Sequence, residues 1–256
     1  LFLAVDIGNT QTSFGFIQDE KITHHFRLQT KAFRTPDEYA SFLFPLLQLH
    51  KIAVADIEKI LLCSVVPPAD PFFEDFCQHY FKQKPFKVTP QSRLMFKMNL
   101  KTPEEVGADR IANVAYAVEN FPLPCMVIDI GTATTFDVIS KERSYEGGII
   151  FPGVGLCFDA LGSKTAKLPL LDPQFSETVI GKSTVECIRS GVLNGYCSFL
   201  EGMIQKIENE LKADCYVAMT GGHSVLFKNR LQKPFDIYPD LTLQGIFLLY
   251  KHSTVL

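Results

Sequence analysis

The chain carries one unusual stretch twice. Leu1 to Ala4 is apolar and leads into Val5-Asp6-Ile7-Gly8-Asn9-Thr10. Cys125-Met126-Val127-Ile128 is equally apolar and leads into Asp129-Ile130-Gly131-Thr132-Ala133. Asp6-Ile7-Gly8 aligns with Asp129-Ile130-Gly131. With one residue of slippage, Ser13-Phe14-Gly15-Phe16-Ile17 aligns with Thr135-Phe136-Asp137-Val138-Ile139. Charged turns follow both copies, Asp19-Glu20-Lys21 and Lys141-Glu142-Arg143. Strand, Asp-x-Gly turn, strand and charged turn, twice over, predict two structurally similar halves. A glycine just past a strand end permits a tight turn and lets backbone N–H groups come close to an anion. Asn9, Thr10, Gln11 and Thr12 add short donors to the first copy. Asp6 is acidic, so it suits a phosphate site only if a cation lies between them. One Asp-x-Gly alone is a weak signal and reads equally well as an ordinary turn.

The remaining chain supports a mixed α/β reading. Ile22 to Leu28 alternates as a third strand of a meander. Thr35-Pro36-Asp37-Glu38 has the order of a helix start, with Thr as N-cap, Pro at N1 and Glu at N3. That helix runs towards His50, with a kink expected at Pro45. Lys59 to Val66 reads as a strand, Asp70 to about Lys82 as a helix, and Phe86 to Thr89 as a short strand. Thr102 and Glu105 fit a capping box, and Ile111, Val114, Ala115 and Val118 are spaced for one buried helix face. Asp109 and Arg110 lie at the front of that stretch, beside the small residues Gly107 and Ala108. Taken alone, they also fit a surface ion pair.

In the second half, Ser144 to Gly153 reads as a strand interrupted by Gly147-Gly148 and ended by a Pro-Gly turn, and Gly153 to Leu161 as a short helix. Thr165 to Asp172 reads as loop. Ile180-Gly181-Lys182-Ser183-Thr184 resembles the tail of a phosphate-binding loop, but Ser176 stands where that motif needs glycine and no strand precedes it. Ser183 or Thr184 is better read as the cap of a long helix, with Val185, Ile188, Val192, Phe199, Met203 and Ile207 in the core. Cys215 to Met219 reads as a strand ending in Thr220-Gly221-Gly222-His223-Ser224, and Leu241 to Tyr250 as a final helix. The expected division is 1–118 and 119–256.

With 46% hydrophobic and 21% charged residues, the 256-residue chain can bury a full core. A net charge of -3 without any basic block argues against nucleic acid or an anionic membrane as partner. No apolar run approaches the length of a membrane span. The 7 cysteines form no C-x-x-C pair, and their apolar surroundings predict buried, reduced thiols and a cytoplasmic protein.

Together these residues resemble the type III pantothenate kinases, in the superfamily of acetate and sugar kinases, actin and chaperone ATPases. The resemblance spans nearly the whole chain and rests on Asp6-Ile7-Gly8-Asn9-Thr10, Gly107-Ala108-Asp109-Arg110, Asp129-Ile130-Gly131-Thr132-Ala133, Gly147-Gly148 with Phe151-Pro152-Gly153, and Thr220-Gly221-Gly222. It implies two actin-like (ribonuclease H-like) halves, each a mixed sheet flanked by helices, with ATP in an interdomain cleft. It implies phosphorylation of pantothenate by ATP, the first step towards coenzyme A, by a homodimer using magnesium and a monovalent cation, potassium or ammonium. Residue by residue, Asp6, Ile7, Gly8, Asn9, Thr10, Gln11 and Thr12 become the first phosphate loop, with Asp6 reaching magnesium through water. Gly131 and Thr132 become phosphate contacts, Gly221 and Gly222 the adenosine loop, and Asp129 a ligand of the monovalent cation. Asp109 matches the catalytic base. Gly107, Ala108, Arg110 and Thr184 match the pantothenate site, where a guanidinium suits a carboxylate. Many members carry Tyr seven residues before the glycine of Gly-Ala-Asp-Arg; here that place is Leu100, which puts one hydroxyl contact in doubt. A kinase for another small hydroxy-acid, or a silent ATP-binding regulatory module, is the alternative reading.

Overall fold

The structure is a computed structural model that describes residues 1–164, 169 and 171–254. The chain divides into two compact units, Leu1–Asn120 with Asp240–Leu256, and Phe121–Pro239. The first unit begins with a meander, β1 (Phe2–Ile7), β2 (Gln11–Gln18) and β3 (Lys21–Gln29). Helix α1 (Pro36–Leu49) then leads to β4 (Lys59–Ser64), α2 (Asp70–Phe76), β5 (Phe86–Lys87), the short β6 (Lys97–Met98) and α3 (Ala108–Asn120). The strand order β3-β2-β1-β4-β5 places the antiparallel meander beside two parallel strands.

The second unit repeats this plan. Strands β7 (Cys125–Ile130), β8 (Ala133–Ile139) and β9 (Ser144–Pro152) form its meander. Helices α4 (Val154–Lys164) and α5 (Thr184–Leu211) lead to β10 (Tyr216–Thr220) and β11 (Asp236–Ile237). Within this unit the order is β11-β10-β7-β8-β9, with β10 parallel to β7 and β8 antiparallel to both its neighbours. The two meanders match in register. Asp6 lies opposite Ser13 in the first, and Asp129 opposite Thr135 in the second. The one-residue slippage in the sequence is a hairpin tip of Gly8-Asn9-Thr10 in one copy and Gly131-Thr132 in the other.

Local chemistry explains the element ends. Thr35 and Glu38 form a reciprocal capping box at α1, with Pro36 in the first turn and Pro45 inside the helix. Ser183 caps α5 by accepting from the Glu186 N–H at 3.2 Å. Thr102 and Glu105 behave differently from the expected box. Their side chains bond each other at 2.9 Å over a 3-10 turn, and α3 starts only at Ala108. This shift makes Asp109 a first-turn residue. The strand through Gly147-Gly148 is continuous, because Gly147 takes a φ of 105° at a bulge that absorbs the pair. The loop expected over Thr165 to Asp172 lies mostly outside the described residues.

The expected division at 119–256 places the C-terminal helix α6 (Leu241–Thr254) in the second half, but the helix packs in the first unit on α3 and β1. Its Gly245 explains the fit: a Cβ there would stand 1.9 Å from the Ala112 carbonyl oxygen of α3. Each unit has its own core. Leu3, Val5, Ile7, Phe14, Phe16, Leu43, Leu62 and Phe73 fill one, and Met126, Ile128, Phe136, Leu193, Leu200 and Phe227 the other. Four cysteines are buried as expected, but Cys157 and Cys197 are half-buried and Cys187 is exposed. Among the described residues, no helix is long and apolar enough to cross a membrane.

Candidate functional site

In the first unit the site begins at the end of β1. The Gly8 N–H bonds the Gln11 carbonyl at 3.0 Å and closes the hairpin tip, leaving Asn9, Thr10 and Gln11 exposed. Ile7 points into the core and the Thr12 hydroxyl meets that of Thr30 at 2.9 Å, so any contact these two make with an anion runs through backbone. The Thr30 N–H bonds the Thr10 carbonyl at 2.9 Å, holding the tip from behind.

Asp6 pairs with Cys63 of the parallel strand β4. The Cys63 thiol is fully buried, and burial pushes it well up, followed by the nearby carboxylates of Asp6 and Asp109. The thiol also hydrogen-bonds Asp6. The Cys63 thiol of β4 thus lies in the electrostatic neighbourhood of two carboxylates, one at the end of β1 and one at the start of α3. The sequence reading missed Cys63, because nothing local marks a cysteine whose importance comes from a strand partner nearly sixty residues away.

Asp109 sits in the first turn of α3, where the helix dipole favours a negative charge. Its Oδ1 accepts the Arg110 backbone N–H at 2.7 Å. A Cβ on Gly107 would stand 2.5 Å from that same Oδ1, so glycine is what lets the carboxylate fold back over the chain. Burial raises the Asp109 pKa, and the Arg110 N–H and guanidinium oppose it without cancelling it. A half-buried aspartate held this way is unlike the surface ion pair that the sequence also allowed. Ala108 is buried and packs; Arg110 is half-buried.

In the second unit, Asp129 ends β7 as Asp6 ends β1. Gly221 follows β10 with a φ of 88°, and a Cβ there would stand 2.4 Å from Asp129 Oδ1. The His223 N–H bonds the Ile130 carbonyl at 3.1 Å, and the Ser224 hydroxyl bonds the Gly221 carbonyl at 2.8 Å. Thus Gly221-Gly222-His223 is bound directly to the Asp129-Ile130-Gly131 strand end. Burial lowers the His223 pKa, favouring the neutral imidazole. Gly153 faces the same hairpin: its N–H bonds the Thr132 carbonyl at 3.0 Å, and a Cβ would come 2.2 Å from the Gly131 oxygen. The sequence marks Gly153 as a turn residue, the start of a short helix and part of the Phe151-Pro152-Gly153 motif, but not as a residue packed on the second hairpin.

Thr184 opens α5 and is exposed. It lines an open groove of about 830 Å³ with Leu161, Lys182, Ile188 and Val192. Gly181 also lines it, and a Cβ there would stand 2.5 Å from the Cys187 nitrogen, so the loop folds tightly on the helix start. Among the described residues, no group of three or more His, Cys, Asp or Glu side chains gathers into a metal cage.

The sequence profile of the type III pantothenate kinases matches residues 2–206. A type III pantothenate kinase of Dehalococcoides mccartyi is 40% identical over 97% of this chain and 96% of its own length. One of Bacillus cytotoxicus is 34% identical over 100% of this chain and 98% of its own. Among solved structures, the activator of the 2-hydroxyisocaproyl-CoA dehydratase from Clostridium difficile, with bound ADPNP, covers 98% of this chain and 94% of its own at a TM-score of 0.56. At 11% identity that likeness is one of fold. It agrees with the expected class, two similar actin-like halves with mixed sheets and flanking helices.

Proposed function

The chain belongs to the type III pantothenate kinase family, and from that premise we propose which of its residues carry the reaction. The reaction is transfer of the γ-phosphoryl group of ATP to the primary hydroxyl of pantothenate, the first step of coenzyme A synthesis. Phosphoryl transfer asks a protein for position and charge compensation more than for covalent chemistry. Asp109 takes the proton of the attacking hydroxyl. The new O–P bond forms as the bond to the leaving ADP oxygen breaks. Arg110 holds the pantothenate carboxylate, with Gly107, Ala108 and Thr184 completing the acceptor site. Backbone amides from Gly8 to Thr12 and at Gly131, together with the Thr132 hydroxyl, hold phosphates, and Gly221 and Gly222 lie against the adenosine.

The observation that carries this reading is the Asp109 carboxylate. It is folded over a glycine, shielded enough to raise its pKa, and, like Asp6, within electrostatic reach of the buried Cys63 thiol. A base with a raised pKa is better matched to a proton leaving an alcohol than an exposed aspartate.

The donors fit magnesium. Among the described residues Asp6 belongs to no cluster of three or more His, Cys, Asp or Glu, and magnesium keeps several waters and relies on substrate phosphates. Bound there, it would neutralise charge on the phosphates. Asp129, wedged against the Gly221 and Gly131 backbone, fits a monovalent cation that needs one charged ligand and carbonyl oxygens. The active species is proposed to be a homodimer, which light scattering on the purified protein would test.

A coupled assay of ADP release tests the whole reading. ADP should appear with pantothenate and magnesium, faster in potassium or ammonium than in sodium. Equal rates in sodium would remove the monovalent site. ADP release only with a different hydroxy-acid would overturn the acceptor assignment.

A further inference from the structure

Tyr196 of α5 is buried against the second hairpin. Its hydroxyl meets two elements at once. It lies 2.9 Å from the Pro152 carbonyl at the end of β9 and 2.5 Å from the Thr134 hydroxyl in β8. A carbonyl can only accept, so the single phenol proton goes to Pro152, and the Thr134 hydroxyl donates to the phenol oxygen. Burial pushes the Tyr196 pKa up to about 12, so the phenol keeps its proton over any working pH. The ring is held in one pose by Phe227, stacked at 5.5 Å, and by Phe151 and Phe199 edge-on at 5.9 and 5.6 Å.

The two bonded positions bracket the hairpin. Thr134 is two residues beyond Thr132, and Pro152 immediately precedes Gly153. Gly153 in turn makes the 3.0 Å bond to Thr132 and leaves no room for a Cβ against Gly131. The β8–β9 ladder and the Gly153–Thr132 bond already join the Gly131-Thr132 tip to the Pro152-Gly153 turn, and the Tyr196 hydroxyl adds a side-chain brace across the same two segments. We propose that Tyr196 is a positioning residue for ATP, its hydroxyl bracing the second hairpin against the turn that supports it. This rests on the reading of Gly131 and Thr132 as phosphate contacts. It adds a residue that touches no substrate and that no sequence motif marks.

Two variants remove the bridge from opposite ends, Tyr196→Phe and Thr134→Val. Both keep the buried volume nearly unchanged. Steady-state kinetics with each substrate varied, together with thermal melting, provide the readout. The KM for ATP should rise about two- to tenfold in each variant, the scale of one hydrogen bond. The KM for pantothenate should stay within about twofold of wild type on the same scale. Either variant suffices if the other does not fold. An unchanged KM for ATP overturns the role of Tyr196, as does an equal rise in both KM values with a lower melting temperature. Thr132→Ala, run in parallel, separates the two ideas. If it raises the KM for ATP while Tyr196→Phe does not, only Tyr196 loses its role. If neither variant moves that constant, the hairpin assignment falls as well.

Discussion

A carboxylate that takes a proton during phosphoryl transfer must be ionised beforehand and basic enough to hold the proton afterwards. Asp109 meets both needs through two local choices, a glycine at 107 and the Arg110 N–H on its Oδ1. Replacing it with Asn should lower kcat by about 10²–10⁴-fold with ATP still bound, the usual size of general-base help. The pH profile offers an independent check. The acid limb of kcat/KM should lie above the ordinary aspartate range, because burial raises the Asp109 pKa from 3.8. Stability has the opposite sign from a salt-bridged carboxylate. The folded state holds this proton more tightly than the unfolded chain does. Stability is therefore lost as pH rises from the unfolded pKa through the folded one, and recovered below. Asp109→Asn should melt at the same temperature as wild type or higher at pH 7, despite its inactivity. A lower melting temperature for the variant would contradict the burial cost. Arg110→Ala should chiefly raise the KM for pantothenate, since a guanidinium holding a carboxylate acts in binding.

At the scale of elements, close backbone approach decides more than side-chain chemistry. Gly153 and Gly245 are the sharpest cases. Gly153→Ala would drive a methyl into the Gly131 and Thr132 carbonyl oxygens, at 2.2 and 2.4 Å, and backbone cannot rotate aside. A cost of about 1–3 kcal/mol in denaturant unfolding is expected, with weakened nucleotide binding by calorimetry. Gly245→Ala should lower stability by at least as much, because α6 would have to lift from α3, yet it leaves the second hairpin untouched. The caps act more gently. Ser183→Ala should cost about 1 kcal/mol of unfolding free energy, the typical worth of an N-cap.

The whole chain is a duplication in which each unit has the same strand order and the same hairpin, yet the division does not follow the sequence. Helix α6 comes last and packs with the first unit. It buries Leu241, Leu243, Ile246, Phe247 and Leu249 there. At roughly 1.5–3 kcal/mol for each large side chain, their sum rivals the whole stability of an ordinary domain, about 5–15 kcal/mol. A chain truncated after Pro239 should therefore lose the first unit's cooperative melting transition by circular dichroism. A truncated chain that still shows two folded units would refute this account of α6.

Much of this protein was legible in its residues alone. The duplicated strand–turn–strand pattern, its register and its one-residue difference in loop length follow from alternation and glycine placement, which act over a few residues. The caps at Thr35 and Ser183 are local for the same reason, and so is the family resemblance, which rests on short motifs. What only the tertiary structure decided joins residues far apart in the chain. Thr102 and Glu105 have the spelling of a capping box, but the packing of α3 begins the helix at Ala108. Cys63 acquires its place beside Asp6 and Asp109 from a parallel strand pairing, and Tyr196 its place from three elements meeting at one hydroxyl. Pairing and packing at that range depend on which surfaces exclude water together, and no periodicity or motif within one segment records it.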